Sequence, residues 1–267
     1  MAEHIYERDG ELYAPTRWAG SPWSAETQHG GPVAGLFARG AEACAAESEL
    51  QLARLTIDLC RPVPNQPLRL ATRWVRRGRK LGLAELTLSR GDDEIARASA
   101  LLLVPRPELR SAWREAAPPP PPVESAEALE FMPVGLREQW PPGFHLSVQA
   151  RVARDEIGPA AWLTTPLDLV AGDATSPQVR FAMLSDLTFA MGMRIAFLRG
   201  SVSSRALQTR FINADITLYR ERDPEGDWVA FRLATMADAA GVGVAEVVQF
   251  DRAGRIGRSL QALVANN

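Results

Sequence analysis

The sequence predicts an α+β protein built as two tandem copies of one unit, in which a long helix is followed by an antiparallel sheet wrapped around it. Three observations carry that expectation. A helical stripe precedes four strand-like segments on each side of a proline run, Pro118 to Pro122. Segments of the two sides share identities at one constant spacing. The chain has 267 residues, 46% of them hydrophobic, enough to bury one large core or two small ones.

The elements follow in order. In "TQHGGPVAGLFARGAEAC", Thr27 to Cys44, Pro32 suits a first helical turn, and Val33, Leu36, Phe37, Ala41 and Cys44 fall at helical spacing. "RLTIDLCRPV" alternates Leu55, Ile57 and Leu59 with Thr56, Asp58 and Cys60, as a half-buried strand does. "PLRLATRWV", "GLAELTLSR" and "EIARASALLLV" read as three more strands. "EAAPPPPPVESAEA" then predicts a stiff polyproline II spacer. We divide the chain into a first unit over 1–112, a linker over 113–140 and a second unit over 141–267. In the second unit Leu184, Leu187, Met191, Ile195 and Leu198 form the helical stripe. "ADITLYRER", "WVAFRLATM", "GVAEVVQF" and "RIGRSLQALV" form the strands.

Aligning the halves supports duplication. Gly82, Ala84, Glu85, Ile95, Arg97 and Leu102 meet Gly243, Ala245, Glu246, Ile256, Arg258 and Leu263 at one spacing. Upstream, Ile57, Leu59 and Arg61 meet Ile216, Leu218 and Arg220 at a spacing shorter by two, so a two-residue insertion lies in an intervening turn. A period this long is a repeated domain and not a solenoid unit.

Charge and composition exclude several functions. Thirty basic against 32 acidic residues, net −2, argue against nucleic acid as a partner. The N-terminal stretch lacks a basic and an apolar region, and no apolar run approaches the roughly 18 residues of a membrane span. A cytoplasmic protein without a membrane partner is expected. Cys44 and Cys60 are too few for a disulfide framework and are expected to be buried free thiols. His4, His29 and His145 show no metal-ligand spacing, so neither a metal nor another cofactor is expected.

The "HGG" before the first helix, "ADITLYRERDPEGDWV" and "DRAGRIGRSLQALV" together make the chain resemble the double-hotdog acyl-CoA thioesterases of the acyl-CoA thioesterase II type. The resemblance covers nearly all of the chain outside the proline run. It implies two tandem hotdog folds, hydrolysis of acyl-CoA to free acid and coenzyme A, and, because hotdog units commonly assemble further, a homo-oligomer. In that family an Asp at the second helix, a hydroxyl residue on the next strand and a Gln on the last strand hold the attacking water. By position these are Asp186, Asn213, which departs from the usual Ser or Thr, and Gln261.

Thioester hydrolysis asks for the same groups independently: a base for the water, a group that orients it, and donors for the developing oxyanion. Asp186 suits the first role and Gln261 the second. Unpaired N–H groups at a helix start suit the third. Ala100 occupies the first half's position equivalent to Gln261, so one working site is expected. Gly30 and Gly31 either admit a ligand at the helix start or pack it tightly. With them His29 is expected to shape the substrate entrance and not to act as the base. Arg76, Arg77 and Arg79, with Arg73 and Lys80, gather at a hairpin that either contacts coenzyme A phosphates or is a solvated turn. Two alternatives stay open: a non-catalytic acyl-CoA binder, and a hotdog hydratase or dehydratase. The latter would need a His paired with the helix acid, and none is near Asp186 in sequence.

Overall fold

The computed structural model describes residues 3–46, 48–106, 108–109, 118–130, 140–208 and 211–266. A hairpin, β1 (His4–Asp9) and β2 (Leu12–Pro15), leads to α1 (Gly30–Ala46). A four-strand meander follows: β3 (Gln51–Asp58), β4 (Leu68–Arg77), β5 (Leu81–Arg90) and β6 (Asp93–Leu103). The second half opens with β7 (Glu127–Leu129), β8 (Gln149–Asp155), β9 (Gly158–Thr164) and β10 (Asp168–Val170). Helices α2 (Pro177–Ser185) and α3 (Thr188–Leu198) come next, then β11 (Phe211–Asn213), β12 (Asp215–Arg220), β13 (Val229–Ala239), β14 (Val242–Asp251) and β15 (Gly254–Ala265). α1 packs on β3 to β6, and α3 packs on β9 and β13 to β15, so each half lays a helix on its own meander.

The halves form one sheet, in the order β10-β1-β2-β4-β5-β6-β3-β12-β15-β14-β13-β9-β8-β7, with β11 also on β15. They join through antiparallel β3 and β12, where Ile57 lies directly opposite Ile216. These are the two isoleucines that the repeat equates, so a pseudo-twofold passes between them. Duplication extends to the register. Ala84 faces Ala100 and Gly82 faces Leu102 in the first half; Ala245 faces Gln261 and Gly243 faces Leu263 in the second. Bulges recur as well, after Leu88 and after Gln249, and between Trp74 and Arg76 and between Leu233 and Thr235. A bulge bends a strand at a fixed place, so matching bulges curve both sheets alike around their helices.

Three expectations are corrected. The second helical stripe is two helices bent by 69°. The break has a side-chain cause: Phe189 N–H donates to Gln261 Oε1 at 2.8 Å, and the Thr188 hydroxyl donates to the Ser185 carbonyl at 2.8 Å, which takes both groups out of the helical ladder. Within the expected linker, residues 118–130 are the outer edge of the second half and not a free spacer. Pro120 is buried, Trp162 Nε1 donates to the Pro121 carbonyl at 2.9 Å, and β7 pairs with β8. Residues 113–117 and 131–139 of that linker lie outside the described residues. Cys44 is buried as expected, whereas Cys60, just beyond β3, is exposed. The halves also interlock, because β10 of the second adds in parallel to β1 of the first. No single helix among the described residues is long and apolar enough to cross a membrane.

Candidate active site

The break between α2 and α3 presents Asp186 to the start of α1. Its side chain is only 6% exposed. Oδ1 accepts from Asn213 Nδ2 at 3.1 Å and Gln261 Nε2 at 3.3 Å, and Gln261 Nε2 also donates to the Asp186 carbonyl at 2.9 Å. Oδ2 lies 2.7 Å from His29 Nδ1. The structure thus brings together Asp186, Asn213, Gln261 and His29, from α2–α3, β11, β15 and the entrance to α1.

A nitrogen and an oxygen so close require a proton between them, since two lone pairs would repel. His29 Nδ1 also faces the Gly31 N–H at 3.1 Å. His29 and Asp186 are thus a close pair across the two halves of the chain. The acid partner that His29 lacked in the sequence comes from the other half of the chain. His29 Nε2 has no hydrogen-bond partner among the described residues.

Valence bookkeeping assigns the remaining capacity. Both amide hydrogens of Gln261 go to Asp186 and its carbonyl accepts from Phe189 N–H, so the fully buried Gln261 ties Asp186 to the helix break. Asn213 spends its amide hydrogens on Asp186 and on the Asp215 carbonyl at 3.3 Å, which leaves its side-chain oxygen as an acceptor. On Asp186, Oδ1 is saturated and Oδ2 keeps one lone pair.

Of the two readings of Gly30 and Gly31, the contacts around them favour tight packing of the helix start. A Cβ on Gly30 would stand 2.7 to 2.8 Å from the Asp186 carboxylate atoms, and one on Gly31 2.6 Å from the Phe144 ring and 2.7 Å from the Met183 carbonyl. Only glycine lets α1 approach α2 and its carboxylate this closely.

Arg76, Arg77 and Arg79 do not join this site. Two strands, β6 and β3, lie between their β4–β5 hairpin and β12, and the hairpin lies toward the Gln51 end of β3, whereas Asn213 continues from the Asp58 end. Arg76, Arg79, Lys80 and Arg106 line a separate cavity of about 620 Å³, and the Arg77 guanidinium lies 5.5 Å from the Trp74 ring centre.

Sequence reasoning missed the polar bed under Asp186. Ser185, Thr188, Gln249 and Ser259 are all fully buried; Gln249 Nε2 donates to Ser185 Oγ at 3.1 Å, and the Thr188 and Ser259 hydroxyls bond each other. Their signal was three polar residues, Gln249, Ser259 and Gln261, at inward positions of two apolar strands. His145 was missed too. Its ring stacks on His29 at 6.2 Å with an interplanar angle of 19°.

Two hotdog units fused through one sheet, with a hydrogen-bonded carboxylate at the helix break, define a double-hotdog enzyme of acyl thioesters. Family comparison agrees: the acyl-CoA thioesterase N-terminal domain model matches residues 19–103 and the corresponding C-terminal domain model residues 114–265. The chain belongs to the acyl-CoA thioesterase family and is a thioester hydrolase. Solved structures show the same fold. A conserved protein with a hot dog fold from Alicyclobacillus acidocaldarius is 17% identical, with 97% of this chain and 95% of that one covered and a TM-score of 0.69. The tesB protein of Mycobacterium avium subs paratuberculosis is 17% identical over 98% and 96%, at 0.67. The acyl-CoA thioesterase II TesB2 of Mycobacterium marinum is 15% identical over 100% and 94%, at 0.65. A search of curated proteins finds no significant match.

Proposed function

We propose that the protein hydrolyses acyl-CoA thioesters at a single site, with Asp186 activating the water. The observation that carries this reading is the carboxylate with one acceptor position left, on Oδ2, beside a histidine that can share its proton. Water bound there, and steadied by the Asn213 side-chain oxygen, gives a proton to Asp186 as its oxygen attacks the thioester carbon. The oxyanion is met at the start of α1 by first-turn N–H groups other than that of Gly31, which is spent on His29. As the C–S bond breaks, the thiolate takes the proton back, and acid and thiol leave. Gln261 enters as a positioning residue that holds Asp186. Asp186 belongs to the second half alone, and Ala100 stands where Gln261 would be in the first, which supports one site per chain.

A second reading has one observation in its favour. His29 paired with Asp186 at 2.7 Å is the His–acid arrangement that a hotdog hydratase or dehydratase needs. The two are separated by products. Incubating the protein with saturated and 2-enoyl-CoA esters and titrating free thiol should show thiol release from both; conversion of the enoyl ester to its hydroxyacyl ester without thiol release would replace hydrolysis by hydration. A homo-oligomer belongs to the same proposal. Its support is the exposed apolar group of Ile212, Val264 and Val242, direct cross-strand neighbours on β11, β15 and β14.

A further inference from the structure

Three inward positions of the second half's sheet, Gln249 on β14 and Ser259 and Gln261 on β15, are polar and fully buried. The duplication supplies a comparison for each. Register puts Leu88, Ala98 and Ala100 at the same places in the first half: Leu86 faces Ala98 as Val247 faces Ser259, Ala84 faces Ala100 as Ala245 faces Gln261, and Leu88 and Gln249 each stand just before a bulge. These three counterparts are apolar and buried. Over the apolar set α1 runs unbroken for 17 residues, whereas over the polar set the helix breaks and turns by 69°. One scaffold therefore carries a continuous helix on apolar strands and a broken helix on polar ones.

The hydrogen bonds supply the cause. In a continuous helix the Phe189 N–H would donate to the Ser185 carbonyl four residues back. Here Gln261 accepts from that N–H, and the Thr188 hydroxyl donates to that carbonyl. With the Thr188 proton committed, the bond between the Thr188 and Ser259 hydroxyls runs from Ser259 to Thr188. Gln249 Nε2 donates to Ser185 Oγ, which donates in turn to the Phe181 carbonyl at 2.8 Å. Ser185 and Thr188 flank the break, and the sheet holds one through Gln249 and the other through Ser259. Stability does not call for this arrangement: Gln249 Oε1 is buried with no hydrogen-bond partner among the described residues, a cost that a leucine, as at position 88, would not carry.

We propose that Gln249 and Ser259 are positioning residues of the hydrolase, which anchor the two sides of the helix break and thereby set Asp186 against the start of α1. Neither hydrogen-bonds Asp186; each acts through a residue beside it. The inference rests on the Asp186 reading above. Replacing both partners of a buried hydrogen bond by apolar groups of like shape is nearly neutral for stability. Thr188→Val combined with Ser259→Ala should therefore melt close to the wild-type temperature, and Gln249→Leu, which removes the orphaned oxygen and leaves Ser185 bonded to Phe181, at or above it. Thiol release from a good acyl-CoA should nevertheless show kcat lowered about tenfold or more in both, with KM nearly unchanged, because small displacements of a reacting group are expensive. Thr188→Ser keeps the hydroxyl and should hold most of the wild-type rate. A crystal structure of the triple variant Gln249→Leu, Ser259→Ala, Gln261→Ala, which carries the first half's residues, should show one continuous helix with the Phe189 N–H returned to the Ser185 carbonyl. Wild-type kcat in either apolar variant, a loss of kcat matched by a loss of melting temperature, or a triple variant that stays bent or fails to fold overturns the inference. Absence of thiol release from the wild type overturns hydrolysis instead, and the triple variant's structure then decides the role of the two residues by itself.

Discussion

His29 and Asp186, from opposite halves of the chain, meet at 2.7 Å between Nδ1 and Oδ2. The contact exists because β3 and β12 fuse the two sheets, which sets the start of α1 against the break between α2 and α3. It also makes a residue expected to shape the entrance a direct partner of Asp186.

Asp186→Asn keeps the shape of the carboxylate and removes its basicity. Its kcat should fall by about 10²- to 10⁴-fold, or roughly 3 to 5 kcal/mol of barrier. His29→Ala should lower kcat by more than about tenfold, because Oδ2 loses the group that shares its proton. Both are read from steady-state kinetics with folding checked by thermal melts. An Asp186→Asn enzyme with wild-type kcat would remove Asp186 from the chemistry and leave His29 Nε2 as the base.

Gln261→Ala tests positioning. The amide joins Phe189 N–H to Asp186, so its loss orphans a buried donor and a buried carbonyl at about 1 to 3 kcal/mol each. A lowered melting temperature is expected together with a lower kcat and a nearly unchanged KM. If stability stays at the wild-type level, the amide does not hold the helix break.

Gly30→Ala introduces a Cβ 2.7 Å from Asp186 Oδ1. The carboxylate must move, and Asn213, Gln261 and His29 cannot all follow it. Activity should therefore drop by about tenfold or more, since small misplacements of reacting groups are expensive. Unaltered turnover would mean that the close approach of α1 to Asp186 is not needed.

His145 predicts an acid-side loss of stability. Burial, and then the nearby His29, push its folded pKa from the ordinary 6.5 down to about 3, so below pH 6.5 the unfolded chain takes up a proton that the folded chain refuses. Its contribution is complete above pH 6.5 and is lost as pH falls toward about 3, at up to about 1.4 kcal/mol per pH unit. Denaturant titrations across that window should show a shallower decline for His145→Phe than for the wild type. Parallel curves would show that His145 protonates in the folded protein.

The first half should not stand alone. Cut at residue 112, it loses β12 from β3 and β10 from β1, leaving strand edges unpaired on both sides. Sedimentation and circular dichroism of that fragment should show aggregation or loss of structure. A stable folded monomer would mean that each half is an independent unit.

The sequence by itself determined the duplicated architecture, because a repeat in the strands carries its register with it. Gly82, Ala84 and Leu102 with their counterparts were enough to set both meanders in phase, and the bulges fall at equivalent places. It also pointed to Asp186, Asn213 and Gln261, through their order in a family pattern. Only the tertiary structure showed that Gln261 hydrogen-bonds Asp186, that Gly30 and Gly31 stand against protein atoms, and that the arginine hairpin lies apart from the carboxylate. It alone paired His29 with Asp186. Periodicity reports which face of an element is buried, but a hydrogen bond between distant segments depends on where the sheet brings their ends. That placement was settled by the pairing of β3 with β12, which no local pattern in either strand encodes.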